Sequence, residues 1–287
     1  MNSYQINIAK LLFDTNAFQA SPANAPFWYT SGKLGPYYIN THYLAGGKES
    51  AEEILNIMDS WDKSRNELIL FLNDLFYEKY CQDEIYKTVI DNMTSHLKFN
   101  FDISKISYIS GGERRDWFFS LIISKLLDLP HISIFKDCET LILHKDEILD
   151  KNIIVENCKT LHIADLITEA SSYVKTWIPA ISALGCKIHA SLCVVDRMQG
   201  GAEVLSRHGI DSLSLINIDK KFFDMAYELG LINSQQLIML CNYFDDPFNT
   251  MKTFIEKNPE FIRQTIAQGG KNAQRARICI EQNIYGV

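Results

Sequence analysis

The sequence predicts an α/β fold in which a mainly parallel sheet is flanked by helices. In the middle third of the chain, apolar strand-like runs alternate with segments of helical periodicity. The run at 188–195 is apolar enough to be buried on both faces, which is typical of a strand inside a parallel sheet. A length of 287 residues suits one large α/β domain or two small ones.

The first hundred residues are predicted to form helices around one β-hairpin. Residues 3–18 have the apolar spacing of a short helix, which the prolines at 22 and 26 end. Two aromatic runs flank Ser31-Gly-Lys-Leu-Gly35, so we expect a hairpin over 27–41. Further helical spacing covers residues 48–61, 66–80 and 86–97.

The remaining two thirds contain the strands that define the fold class. Strands are predicted at 106–110, 131–135, 160–164 and 188–195, with helices at 117–127 and 173–184. Helical spacing returns from 220 to the end. We therefore predict a domain at 1–220, made of the hairpin at 27–41, a helical insertion at 50–100 and an α/β core at 106–220. A C-terminal helical extension at 221–287 is expected to pack on the same domain.

Composition limits the partners that this chain is expected to have. The net charge is −7 and the pI is near 5.5, which argues against a nucleic acid as partner. No apolar run reaches membrane-span length, so no membrane partner is expected. Residues 1–10 resemble no export signal, and a cytoplasmic location is the expectation. The seven cysteines are then predicted to be reduced thiols, and no zinc-ligand spacing is present.

One strand end has the features of an anion-binding site. The predicted strand at 160–164 runs into Asp165, and then into a short loop and a helix, with Thr168, Ser171 and Ser172 as hydroxyl donors. Backbone amides and hydroxyls at a helix N-terminus can bind phosphate, while Asp165 can accept hydrogen bonds from sugar hydroxyls. Alternatively, Ser171 or Ser172 only caps the helix.

This segment resembles the phosphoribosyl-diphosphate signature of the type I phosphoribosyltransferases, and other segments resemble the orotate phosphoribosyltransferase family. Its hairpin is similar to Thr30-Ser-Gly-Lys-Leu-Gly-Pro-Tyr-Tyr-Ile-Asn40, and its late turn to Cys193-Val-Val-Asp-Arg-Met-Gln-Gly-Gly201. The resemblance covers roughly residues 3–220. It implies a parallel sheet whose active site is covered by the hairpin.

The resemblance also implies roles for single residues. Lys33, Tyr37 and Tyr38 of the hairpin and Arg197 of the late turn would bind the base. Arg114, in the loop after the strand at 106–110, would join Asp165, Thr168, Ser171 and Ser172 in binding the phosphoribosyl group. The alternatives are that the tyrosines only pack the hairpin, that Arg197 forms a surface ion pair, and that residues 113–116 begin a helix.

Several departures from the family pattern argue against full activity. Ala164 stands in place of one of two consecutive acids, and Glu169 adds a negative charge to the phosphate loop. In the family's mobile catalytic loop, the positions that correspond to Phe135, Lys136, Glu139 and Leu141 are mostly basic. Only Lys136 keeps a cation and is the candidate catalytic residue, with His144 and Lys145 as possible replacements for the others.

Two hypotheses of function follow from the resemblance. The first is an enzyme of pyrimidine nucleotide metabolism that transfers phosphoribose to orotate, with Mg²⁺ bridging the diphosphate as cofactor and no protein ligand to the metal assigned. The second is an inactive member of the fold that senses a nucleotide or acts as an assembly partner. A small phosphoribosyl or nucleotide ligand is expected in both, and family members commonly form homodimers.

Overall fold

The structure is a computed structural model that describes residues 3–154 and 157–286. The contacts within the chain define two compact units. One unit consists of residues 18–39 and 219–286, and the other of residues 3–17, 40–154 and 157–218. We call them the helical unit and the sheet unit, and they are described separately.

The strands and helices follow each other in chain order. The strands are β1 (Phe18–Ala20), β2 (Phe27–Trp28), β3 (Leu34–Gly35), β4 (Tyr37–Ile39), β5 (Tyr108–Gly112), β6 (His131–Ile134), β7 (Thr140–His144), β8 (Glu147–Leu149), β9 (Lys159–Ile167), β10 (Lys187–Asp196) and β11 (Asp211–Asn217). The α-helices are α1 (Ser3–Asp14), α2 (Gly47–Asp59), α3 (Arg65–Gln82), α4 (Glu84–Asn100), α5 (Trp117–Leu127), α6 (Ile178–Ala183), α7 (Gly201–Arg207), α8 (Lys220–Glu228), α9 (Ser234–Asp245), α10 (Pro247–Lys257), α11 (Glu260–Gln268) and α12 (Gly270–Glu281). A π-helical segment, Tyr173–Trp177, leads directly into α6.

The sheet unit is built on a seven-stranded sheet with the order β11-β10-β9-β5-β6-β7-β8. The strands from β11 to β6 are parallel to each other, and β7 and β8 are added antiparallel at one edge. The predicted strands and the α/β class are therefore confirmed. The sequence analysis missed β7, β8 and β11, which are peripheral strands of the sheet.

Helices flank this sheet and bury its apolar side chains. Helix α5 packs on β5 and β9, and α6 packs on β10. Helix α5 is buried nearly all round over its first two turns, in accordance with its run of aromatic and aliphatic residues from Trp117 to Ile123. This packing fixes the positions at which β5, β6 and β9 end, and the loops that follow these strands form the candidate site.

The helical unit contains the predicted hairpin, with a different strand pairing. Strand β2 pairs with β3, so the hairpin spans 27–35, whereas β4 pairs with β1. Two-residue ladders are too short to be stable alone. Arg275 of α12 donates a hydrogen bond to the carbonyl of Trp28, and the Tyr285 hydroxyl accepts one from the Leu34 amide. The hairpin thus packs with the C-terminal helices, whereas the sequence analysis assigned it to the domain at 1–220.

One disulfide contradicts the expectation that the cysteines are reduced thiols. Cys158 and Cys186 are bonded, with 4.7 Å between their Cα atoms. The register of β9 with β10 places Lys159 opposite Lys187, so the residues before them lie side by side. This pairing depends on sheet register and was not visible in the cysteine spacing. Among the described residues, no helix is long and apolar enough to span a membrane.

Candidate functional site

A polar cavity of about 570 Å³ lies in the sheet unit where β5, β6 and β9 end. All six predicted phosphate-binding and catalytic residues line it. These are Arg114, Lys136, Asp165, Thr168, Ser171 and Ser172. The carboxyl ends of parallel strands are the usual ligand-binding edge of such a sheet. The further lining residues are Glu113, Arg115, Asp116, Ala164, Leu166, Ile167, Glu169, Ala170, Tyr173 and Trp177.

Asp165 is held in place by neighbours on two other elements. The Thr41 hydroxyl donates a hydrogen bond of 2.8 Å to its carboxylate. Its backbone amide donates to the Asp116 carboxylate over 3.0 Å. Burial and the nearby charge of Asp116 raise the pKa of Asp165 to about 7, against an opposing effect of Arg115. Carboxyl groups whose pKa is raised in this way are concentrated at functional sites.

The loop from Glu113 to Asp116 supplies two arginines with different surroundings. The peptide bond between Glu113 and Arg114 is cis. Arg114 forms an ion pair with Asp59 of α2, so its charge is partly neutralised within the unit. Arg115 is half-buried and forms no salt bridge within the described parts of the chain. Its positive charge nevertheless acts on Asp165 and on His42.

Residues 168–172 form the predicted phosphate loop. The polar side chains of this loop are partly or fully exposed to solvent. Ser171 and Ser172 are exposed at the start of the helical segment that continues into α6. Ala170 has a φ of 55°, a left-handed conformation that turns the chain into this helix. The Glu169 side chain is exposed on the cavity lining. The acid that the sequence analysis expected in the phosphate loop is therefore present at the cavity.

The region predicted as a mobile catalytic loop is a tight turn between antiparallel strands. The amide of Phe135 donates to the carbonyl of Glu139, and Leu141 lies within β7. Arg65 of α3 forms ion pairs with Glu139 and Asp137. Glu139 is absent from the cavity lining formed by the described residues. The expectation that Glu139 opposes a bound anion is therefore wrong, because short-strand pairing and Arg65 hold its carboxylate elsewhere.

Lys136 is the turn residue that remains at the cavity. Its side chain is 66% exposed, and its ammonium lies 4.0 Å from the Glu113 carboxylate. Glu113 also accepts a hydrogen bond from the backbone amide of Lys136. Glu113 thus joins the β5 loop to the β6–β7 turn. His144 and Lys145 contact Asp128 and line a separate cavity of about 220 Å³, so they do not replace the missing cations.

The residues predicted to bind a base are not brought together in the described cavity. Tyr37 is 3% exposed and stacks on Phe18 within the helical unit, which argues against contact with a base. The hydroxyl of Tyr38 donates to the Trp28 carbonyl. Lys33 is exposed on the hairpin of the same unit. Arg197 is half-buried in the sheet unit, where its amide donates to the Ile167 carbonyl, and it is not a lining residue of the cavity.

Sequence reasoning missed the roles of Arg115, Tyr173 and Trp177 in this site, and assigned Asp116 to the wrong task. The sequence offered Asp116 either as an acid close to the diphosphate or as part of a helix start, whereas its carboxylate accepts hydrogen bonds from the Gly112 and Asp165 amides. Arg115 follows Arg114 directly and was the one signal in the sequence. Tyr173 and Trp177 are spaced like ordinary core residues, so nothing in the sequence indicated that they line the cavity.

The carboxylates of the cavity do not form a metal site by themselves. No cluster of three or more potential metal-ligating His, Cys, Asp or Glu side chains occurs in the described part of the chain. Asp116 is already hydrogen-bonded to two backbone amides. The residues present therefore do not fit a resident Mg²⁺, which prefers several oxygen ligands in octahedral geometry.

Comparison with known proteins identifies the fold. No family model matches the sequence, and no curated protein matches it. Among solved structures, UMP synthase of Leishmania donovani superimposes with a TM-score of 0.58 at 16% identity, over 84% of this chain and 42% of that protein. Orotate phosphoribosyltransferase of Francisella tularensis gives 0.48 at 14% identity over 86% and 96%, and that of Aeropyrum pernix 0.45 at 17% over 78% and 99%. The chain thus spans less than half the length of the UMP synthase. At these identities the likeness shows the fold.

Proposed function

We propose, since the chain has the type I phosphoribosyltransferase fold, that its polar cavity binds a 5-phosphoribosyl compound. One observation supports this most strongly: residues from three strand ends that were each predicted for such a ligand line one cavity. Arg114, Arg115 and Lys136 would face the phosphates, together with the hydroxyls of residues 168–172. Asp165 would accept hydrogen bonds from the sugar.

We further propose that synthesis of orotidine monophosphate by this chain is very slow or absent. Cations that stabilise a departing diphosphate act by electrostatic preorganisation. Here the only cation of the β6–β7 turn that lines the cavity, within the described residues, is the exposed Lys136. Glu169 adds an opposing charge. A catalytically inactive nucleotide sensor is favoured by these two observations over an efficient transferase, and Mg²⁺ would enter only with the phosphates of the ligand.

Isothermal titration tests the binding proposal. The probes are ribose 5-phosphate, 5-phosphoribosyl 1-diphosphate and orotidine monophosphate, each with and without Mg²⁺. Arg115→Ala should weaken binding of the phosphorylated sugars about 10- to 100-fold, because hydrogen bonds to charged groups contribute about 1.5–3 kcal/mol. Arg65→Ala is the matched control, since Arg65 pairs with carboxylates outside the cavity.

The two parts of the proposal fail in different ways. If none of the probes binds at millimolar concentration to folded protein, the cavity does not have the proposed ligand. If Arg65→Ala weakens binding as much as Arg115→Ala, the ligand lies elsewhere. Turnover of orotate within the usual enzyme range of about 1–10³ s⁻¹ would contradict the proposed loss of catalysis.

A further inference from the structure

A buried polar group behind the cavity wall has no role in the binding proposal above. His162 lies in the middle of β9 and is fully buried, although the neighbouring residues of this strand are apolar. Its Nδ1 is 3.0 Å from the hydroxyl of Ser110 on β5, which is also fully buried. Its Nε2 lies 3.5 Å from the Asp116 carboxylate. Ser110 and His162 are opposite each other on β5 and β9, and Asp116 lies next to His162 at the cavity.

Asp116 connects these residues to both sides of the cavity. Its Oδ2 accepts a hydrogen bond of 2.9 Å from the Gly112 amide, at the end of β5. Its Oδ1 accepts the hydrogen bond of 3.0 Å from the Asp165 amide, on β9. The residue is 7% exposed, so these hydrogen bonds are shielded from water. One carboxylate thus joins the loop with the arginines to the strand end with the predicted sugar-binding acid.

The surroundings of His162 restrict its orientation. The rings of Tyr173 and Trp177, which line the cavity, lie 4.8 Å and 6.1 Å from the imidazole ring. When the Ser110 hydroxyl donates to Nδ1, the proton of the neutral imidazole is on Nε2 and points at Asp116. The Nε2 atom lies too far from Asp116 for a hydrogen bond, so His162 restricts the position of this side chain by contact and packing.

We infer that Asp116 is a positioning residue, supported by His162, that sets the distance between the two walls of the phosphoribosyl cavity. The inference rests on the proposed function for its ligand but not for its geometry. One wall is the loop that follows β5, and the other is the end of β9. If the Gly112 or the Asp165 amide lost its acceptor, these two walls would no longer be joined through Asp116. A carboxylate suits this task because each of its two oxygens accepts a hydrogen bond from one of the two amides.

Asp116→Asn is the sharpest test, because the variant keeps the shape but replaces one acceptor oxygen with a donor. One of the two amides then faces an NH₂ group. Hydrogen exchange at Gly112 or Asp165 should accelerate roughly tenfold or more, as expected for the loss of a hydrogen bond to a charged group. Asp128→Asn is the matched control, since Asp128 is a surface acid beside His144 and Lys145.

The titration of Asp165 provides a second readout of the contact between Asp116 and Asp165. The groups whose charge acts on Asp165 are Asp116 and Arg115, and Thr41 hydrogen-bonds to its carboxylate. Tyr173 and Cys193 also lie within range of its charge. Removal of the Asp116 charge should shift the NMR titration midpoint of Asp165 downward, because that charge raises its pKa. Asp128→Asn should leave it unchanged.

The outcomes separate this inference from the proposed function. If Asp116→Asn changes exchange and the Asp165 midpoint while no probe binds wild type, the positioning role stands and the proposed ligand is wrong. If wild type binds ribose 5-phosphate and Asp116→Asn behaves like Asp128→Asn in both hydrogen exchange and the titration of Asp165, the positioning role is refuted. Should Asp116→Asn not fold, hydrogen exchange of the wild-type protein decides: strong protection of both the Gly112 and the Asp165 amides supports the inference, and rapid exchange of either amide overturns it.

Discussion

At Gly112 the sheet packs directly against the cavity-lining ring of Trp177, and substitution of this glycine by alanine tests the packing. A Cβ atom built on Gly112 would lie closer than 3.0 Å to three atoms of the Trp177 indole ring. The φ of Gly112 lies outside the left-handed region, so alanine meets no backbone penalty there. The expected effect therefore comes from the clash alone.

The size of the effect follows from the burial of both partners. Trp177 is 6% exposed and belongs to the same buried cluster as Ala164 and Ile181, so the ring has little room to move. Forcing additional atoms into a well-packed core destabilises a protein by about 1–3 kcal/mol. Since each kcal/mol lowers the melting temperature of a domain of this size by about 2–4 °C, we expect a decrease of roughly 2–12 °C.

Urea denaturation followed by tryptophan fluorescence measures the free energy of unfolding, and a double-mutant cycle identifies the clash. Phenylalanine lacks the indole atoms nearest to the built Cβ, so Gly112→Ala should destabilise the Trp177→Phe protein much less than the wild type. Contacting residues typically show coupling of about 0.5–3 kcal/mol. If the two substitutions are additive, or if Gly112→Ala alone leaves stability unchanged, the packing described here is wrong.

Three further predictions concern other parts of the molecule. Reduction of the bond between Cys158 and Cys186 should lower the free energy of unfolding by about 2–4 kcal/mol, measured by urea denaturation with and without dithiothreitol; equal midpoints would contradict a stabilising disulfide. Tyr37→Ala should cost about 3 kcal/mol or more as an aromatic core deletion, seen in calorimetry, whereas an unchanged thermogram would point to a role outside the core. Glu169→Gln should strengthen binding of ribose 5-phosphate severalfold in titration calorimetry, and unchanged affinity would show that its carboxylate points away from the ligand.

The sequence was most informative where local pattern and tertiary structure agree. Strands β5, β6, β9 and β10 are buried on both faces, so their apolar runs stood out and their ends marked the cavity. In contrast, β11 is half-exposed over its first residues, and its pattern is correspondingly weak. The hairpin pairing was misjudged because both aromatic runs have high strand propensity. Their partners, Phe18–Ala20 and the C-terminal helices, are distant in sequence.

The charges of the site could not be derived from sequence because their effect depends on pairing across the fold. Sequence alone counts Arg114 as a phosphate ligand, but Asp59 of α2 shares its charge. By alignment, Glu139 was expected to repel a bound anion, but its carboxylate is paired with Arg65. Each pair joins elements more than fifty residues apart, and no local spacing predicts it.

The ion pair between Arg114 and Asp59 determines which cation of the cavity has the strongest unpaired charge. A guanidinium that already forms an ion pair within the protein must share its hydrogen bonds with an incoming phosphate, and its net charge is offset. Arg115 makes no such pair within the described residues, and it is half-buried, so its field is less screened than that of the exposed Lys136. In the proposed binding of an anion, Arg115 is therefore expected to contribute most, although the resemblance selected its neighbour Arg114. For this reason Arg115→Ala, rather than Arg114→Ala, is the decisive variant for ligand binding.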